Sequence, residues 1–333
     1  MNILIIIPYA SKNYSGGVNV QCQMWKEGLE RLGHSVRLHN FWERFDYSSL
    51  DVVLFVGMGV LIPDYIRIFK DFQKIKFVCA PVIDYPSYGH FKLHAVFPFW
   101  HHPGRINIVN LLKKQKNNIS LWLARSEWEK RFICNGLGIK SGMVKIVPIS
   151  MRFKSFPDVD YSKKQNFCLH VSRLASRAKN VERLIMAAKR YNFELVLAGT
   201  INGEKERDWL NAAIGNSKNI TYTGWLSDEE LKGLYLRAKV FALPSFIEGV
   251  GMVALEAACS GCEIVLTNIG APKEYYNGRA VLVNPSDVDS IGRGVVEAMT
   301  TKNSQPELKK HIEANYSMDV CLEKLENVLK DIL

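Results

Sequence analysis

Short runs of Val, Ile, Leu and Phe without polar alternation recur along this 333-residue chain, each followed by a stretch of helical periodicity. Strands apolar on both faces have to be covered on both faces, which implies a parallel sheet between helical layers. In the first half such runs occupy residues 2–8, 34–39, 51–56, 76–81, 119–124 and 144–148, with a helix over 18–32 that Gly33 stops. The pattern lapses over 149–165, a polar, proline-containing linker, and restarts at 166–172. Helices over 181–191, 205–214, 228–238 and 251–260 then alternate with strands over 193–199, 219–224, 240–244 and 263–267. The expectation is an α/β protein of two doubly wound, Rossmann-like domains, 1–155 and 156–333, with the last helix free to pack back on the first domain. Such sheets bind ligands at the carboxyl ends of their strands, here in a cleft where the two domains face each other.

With 47% hydrophobic and 23% charged residues the chain can bury a full core, which excludes disordered, collagen-like and disulfide-scaffold classes. Its longest apolar stretch of this kind, 52–62, has eleven residues and ends at Pro63, short of the roughly 18 to 20 that span a bilayer. The apolar start over 3–7 has no basic residue ahead of it and reads as a first strand of a cytoplasmic protein rather than a signal peptide. Seven scattered cysteines suit reduced intracellular thiols. Cys259 and Cys262 have redox or zinc spacing, but no second pair accompanies them, so they read as packing thiols.

The formal charge of +10 is uneven: residues 1–160 hold 21 Lys and Arg against 12 Asp and Glu, whereas 161–333 hold 22 against 21. A basic first half suits nucleic acid, an anionic membrane surface or phosphorylated substrates. Between Arg105 and Lys154 there are 11 basic and two acidic residues, and the run from Arg105 to Lys116 mixes apolar residues with a cationic end. It either lies on an anionic membrane, reaching a lipid-linked acceptor, or forms a core-facing helix with a solvated lysine end. The connection over 84–105 is long and irregular, with four histidines and six aromatics. It reads as a packed surface loop, an acceptor-binding loop or a metal site; only His90 and His94 have the spacing of a helical ligand pair.

Phosphate-binding signals occur in both halves. The turn over 11–17, closed by Gly16 and Gly17, leads into a helix whose N-terminus can meet an anion. Neither Gly-x-Gly-x-x-Gly nor a P-loop is present, which argues against dinucleotide dehydrogenases and P-loop ATPases. After the strand over 166–172, Arg173 and Lys179 would face the cleft, with Asn180 as the N-cap of the next helix. A diphosphate suits such cations, since charge-assisted bonds contribute roughly 1.5 to 3 kcal/mol each. Glu248 and Glu256 lie eight positions apart across a strand-to-helix turn, their α-carbons on the order of 10 Å apart. They project from one element and suit different parts of one extended ligand better than the two sides of a hydrolysed bond. Between them Gly251, Met252 and Val253 open a helix whose free N–H groups favour a phosphate.

Glu248-Gly-Val-Gly-Met-Val-Ala-Leu-Glu256-Ala resembles the signature of the family-four retaining glycosyltransferases (glycosyl transferases group 1) of the GT-B fold. The resemblance extends to Gly16-Gly17, the segment from Ala124 to Lys130, Ser172-Arg173-Leu174 with Lys179-Asn180, Thr223-Gly224-Trp225 and Pro272-Lys-Glu274. It implies that Arg173 and Lys179 hold the donor diphosphate, Glu256 bonds the nucleotide ribose and Glu248 contacts the transferred sugar. Gly16, Gly17, Gly249, Gly251, Met252 and Val253 would approach phosphates or sugar, and Gly224, Trp225 and Leu226 would lie beside the base. The implied reaction moves a sugar from a nucleoside-diphosphate sugar to a glycan or lipid-linked acceptor, with retention and without metal or other cofactor. The setting would be surface polysaccharide or glycolipid synthesis, cytoplasmic or peripheral on the inner membrane face, with no nucleic-acid partner. The sequence departs from the family at Ile149-Ser150, at Cys262, and where many members carry a histidine after the fourth strand. Asp84, His90 and His94 are the acceptor-side candidates there. An epimerase or phosphorylase on the same architecture, or a non-catalytic nucleotide-binding protein, is the alternative.

Overall fold

A computed structural model describes residues 1–8, 16–40, 42–43, 46–72, 74–84, 108–153 and 156–333. The chain divides into two units, Met1–Arg152 joined by Met318–Leu333, and Phe153–Ser317. The division falls at 152/153, where the expectation put 155/156, and Met318–Leu333 leaves the second unit for the first.

In the first unit a six-stranded parallel sheet has the order β2-β1-β3-β4-β5-β6. Its strands are β1 (Asn2–Ile6), β2 (Ser35–Leu38), β3 (Val52–Val56), β4 (Lys76–Ala80), β5 (Leu121–Ala124) and β6 (Val144–Ile146). β3, Val-Val-Leu-Phe-Val, is buried along its whole length, as a central strand covered on both faces has to be. Among the described residues its helices include α1 (Gly17–Arg31), α2 (Ile62–Phe69), α3 (Ile108–Lys114) and α4 (Glu127–Leu137). α3 buries Val109 and Leu112, leaves Ile108 exposed and ends on Lys113 and Lys114. Ser126 starts α4 by accepting the Glu129 N–H, and left-handed Gly138 ends it.

The second unit holds a parallel sheet of order β12-β11-β10-β7-β8-β9. The strands are β7 (Gln165–Val171), β8 (Glu194–Ala198), β9 (Ile220–Gly224), β10 (Ala238–Leu243), β11 (Glu263–Thr267) and β12 (Val281–Val283). Helices α5 (Val181–Tyr191), α6 (Gly203–Ile214), α7 (Asp228–Arg237), α8 (Met252–Cys259), α9 (Val288–Thr300) and α10 (Glu307–Tyr316) surround it. Leu184, Ile185 and Ala188 of α5 and Ile291, Val295 and Ala298 of α9 close one core against β7 and β8. Strand order reverses between β7 and β10, which makes their carboxyl ends the switch point where such sheets take ligands.

The last helix, α11 (Met318–Lys330), packs on α1 in the first unit. Gly28 permits this, since a Cβ there would overlap the Leu322 side chain. A 2.7 Å contact from His34 Nε2 to Glu326 Oε1 fastens the same helix.

Candidate functional site

The switch point of the second sheet is tied together from below by His170, which has no exposed surface. Its Nδ1 lies 2.8 Å from the Ala242 carbonyl of β10 and its Nε2 2.7 Å from Ser172 Oγ. A carbonyl only accepts, so Nδ1 carries the hydrogen and the serine hydroxyl donates to Nε2. Burial pushes the His170 pKa down from 6.5 to about 4, with the Lys179 charge adding to it. Beside it the ends of β7 and β8 run close together. Gly199, at φ +133°, has no room for a Cβ, which would overlap the Ser172 carbonyl oxygen.

On this floor sit both cations read from the sequence. Lys179 Nζ donates to Glu248 Oε2 at 2.7 Å, and Ser245 Oγ donates to the same oxygen at 3.1 Å. The two charged side chains are 28% and 10% exposed, so the pair is partly shielded from water. Arg173 is 56% exposed and donates to Glu206 Oε1 at 3.2 Å, while Glu206 Oε2 accepts the Asn202 N–H at 2.6 Å. Thus the structure brings Lys179 together with Glu248, and holds Arg173 on a different carboxylate, at the start of α6.

Asn180 departs from expectation. It occupies the position before α5 in the left-handed region, φ 59°, and its side chain does not cap the helix. Its amide instead donates to the carbonyls of Pro244 at 2.9 Å and Pro285 at 2.7 Å, tying the loop after β7 to the loop after β10. The Phe246 N–H adds a bond to the Ala178 carbonyl at 2.8 Å. Beside this loop a recess of about 760 Å³ opens between Ser176, Arg177, Arg183, Lys205, Trp209 and Phe246.

Gly249 and Gly251 are buried in the turn before α8, and Met252 and Val253, its first residues, are half-buried. Glu256 lies on the next turn with no exposed surface, accepting from the Tyr235 hydroxyl at 3.3 Å. Glu256 is therefore enclosed, whereas Glu248 is partly accessible. Gly224 ends β9 at φ 80°, followed by Trp225, 73% exposed, and half-buried Leu226.

In the first unit Gly16 and Gly17 are exposed at the start of α1. Asp84 follows β4 and receives Arg125 Nη2 at 2.7 Å. His90 and His94 lie outside the described residues. Cys259 and Cys262 are both buried, and Cys262 Sγ donates to the Tyr235 carbonyl at 3.2 Å. Burial pushes the Cys262 thiol up to about 11, which makes it a packing group. Among the described residues no helix is long and apolar enough to cross a membrane.

Sequence reasoning missed Glu206, Ser245, Tyr235 and His170. Only Ser245, three residues before Glu248, carried a local signal; the others reach the site through the fold.

The glycosyl transferases group 1 family model matches residues 151–317, half of the chain and the whole of the second unit. The chain belongs to that family. It is 30% identical over 142 residues to the O-antigen chain mannosyltransferase B of Escherichia coli, a match covering 40% of this chain and 37% of the relative. It is 32% identical over 169 residues to a serotype-specific mannosyltransferase of the same organism, covering 48% of this chain and 20% of that one. These matches therefore span well under half the length of either curated relative. Sucrose-phosphate synthase from Thermosynechococcus elongatus superposes with a TM-score of 0.78 at 14% identity, over 99% of both chains. The two parallel sheets are those of the GT-B fold.

Proposed function

We propose that this chain moves a sugar from a nucleoside-diphosphate sugar to a hydroxyl of a glycan or lipid-linked acceptor, with retention of anomeric configuration and without a metal. The observation that carries this is the Lys179–Glu248 pair at 2.7 Å, bridging the loops that follow β7 and β10. A diphosphate arriving there takes Lys179 and Arg173 from their resting carboxylates, Glu248 and Glu206. Glu248 is then released toward the hydroxyls of the transferred sugar. The two cations, with the N–H groups of Gly251, Met252 and Val253, stabilise the charge that grows on the diphosphate as the anomeric C–O bond breaks. Catalysis is then positioning plus electrostatic stabilisation. Glu256 reaches the ribose hydroxyls once the turn before α8 shifts, and Gly224, Trp225 and Leu226 flank the base. The acceptor is received by the first unit, on the side of Asp84.

The relatives named above are mannosyltransferases, one of them of the O-antigen chain, which supports mannose as the sugar and a surface polysaccharide as the product. The basic first half supports work at an anionic membrane surface. A thermal-shift panel of UDP-, GDP-, ADP- and dTDP-sugars tests the donor. A ligand that binds the native state raises its apparent stability, and GDP-mannose is expected to give the largest rise. No rise with any nucleotide sugar would overturn the proposal.

A further inference from the structure

At the carboxyl ends of β4 and β5 the first unit holds a buried charge cluster that the donor site does not use. Glu129, 1% exposed, accepts the Ile83 N–H at 2.6 Å and the Arg125 N–H at 2.7 Å. It also receives the Arg125 guanidinium through Nε at 2.9 Å and Nη2 at 3.0 Å. The same Nη2 donates to the Ile83 carbonyl at 3.2 Å and to Asp84 Oδ1 at 2.7 Å. Burial works against the guanidinium charge, but the carboxylates of Asp84 and Glu129 outweigh it and hold Arg125 protonated. The turn that these bonds clamp contains Val82 at φ +54°, a conformation that costs a β-branched residue energy and persists only where the surroundings impose it. Asp84 is 42% exposed at its side chain, and its second oxygen has no hydrogen-bond partner among the described residues.

We propose that Arg125, itself fixed by Glu129, is a positioning residue that engages one oxygen of Asp84 and leaves the other to accept a hydroxyl of the acceptor sugar. This rests on the glycosyltransferase reading above. The second carboxylate oxygen of Asp84 can only accept, so it suits a hydroxyl-bearing sugar and offers nothing to a phosphate or carboxylate group.

The test is steady-state transfer by the full chain, varying donor and acceptor separately. A neutral glycan that the wild type glycosylates serves as acceptor. Asp84→Asn should raise acceptor KM about tenfold, the scale of one charge-assisted bond, with donor KM unchanged. Arg125→Lys should raise acceptor KM in the same direction, and the double variant should be no worse than Asp84→Asn, because Arg125 acts through Asp84. If Arg125→Lys does not fold, Glu129→Gln replaces it in the same cycle. Additive effects of the pair, or equal changes in donor and acceptor KM, would overturn the proposal and leave a structural brace. Failure of the wild type to bind any nucleotide sugar would instead sink the underlying reading, so the two failures are distinguishable.

Discussion

Mild acid should loosen the floor of the Arg173–Lys179 loop through His170. This imidazole has no exposed surface and joins β10 to Ser172 in its neutral form. Protonation leaves a hydrogen bond to the serine within reach, because that hydroxyl can turn to accept; the cost is a charge buried near Lys179. The gap between a folded pKa of about 4 and the ordinary 6.5, at about 1.4 kcal/mol per pH unit, is worth about 3 kcal/mol. Because the folded pKa lies below the unfolded one, the unfolded chain binds the proton first. The contribution is complete above about pH 6.5 and is lost as pH falls toward 4. Urea unfolding of the wild type and of His170→Gln at pH 7.5 and pH 4.5 isolates it, since glutamine keeps a donor and does not titrate. The wild type should lose about 2 to 3 kcal/mol more than the variant over this interval. Equal losses in the two proteins would refute the assignment of a neutral, buried His170.

Other expectations follow from the same geometry. Gly199→Ala should destabilise the protein by more than about 2 kcal/mol in urea unfolding, because the backbone is left-handed there and the methyl overlaps the Ser172 carbonyl. Glu256→Gln should weaken nucleotide binding in calorimetry with little change in stability. Glu256→Ala should also cost about 2 to 4 kcal/mol in folding, since it takes an acceptor from the buried Tyr235 hydroxyl and opens a void. Binding to anionic vesicles should be measurable at low salt and fall steeply as salt rises; no binding at low salt removes the membrane contact.

The sheets were legible because their central strands are apolar on both faces, as in the run Val-Val-Leu-Phe-Val of β3, where shortness and β-branched residues favour a strand. The two cations proposed to hold the donor stand out in a local arrangement, a strand followed by Arg173 and Lys179. Their resting partners were legible only in part. Glu248 stood out through its spacing to Glu256, but Glu206 comes from the next strand-to-helix connection, where no local pattern marks it. Asn180 illustrates the limit of propensity: the residue type and position fit an N-cap, yet two carbonyls brought near by the loops after β10 and β12 take its amide. The burial of Glu256 was invisible for a similar reason, since a carboxylate on the second turn of a helix is exposed or enclosed according to what packs over it. Val82 carries no sequence signal, because its left-handed backbone is imposed by Glu129 and Arg125 from another strand end.

Turnover of Arg173→Ala and Lys179→Ala, against an acceptor on which the wild type is active, bears most directly on the claim that these two cations grip the donor diphosphate. Each variant should remain folded and lose about 100- to 1,000-fold in rate, the scale of one lost contact to developing negative charge. Folded variants that keep the parental rate would contradict it.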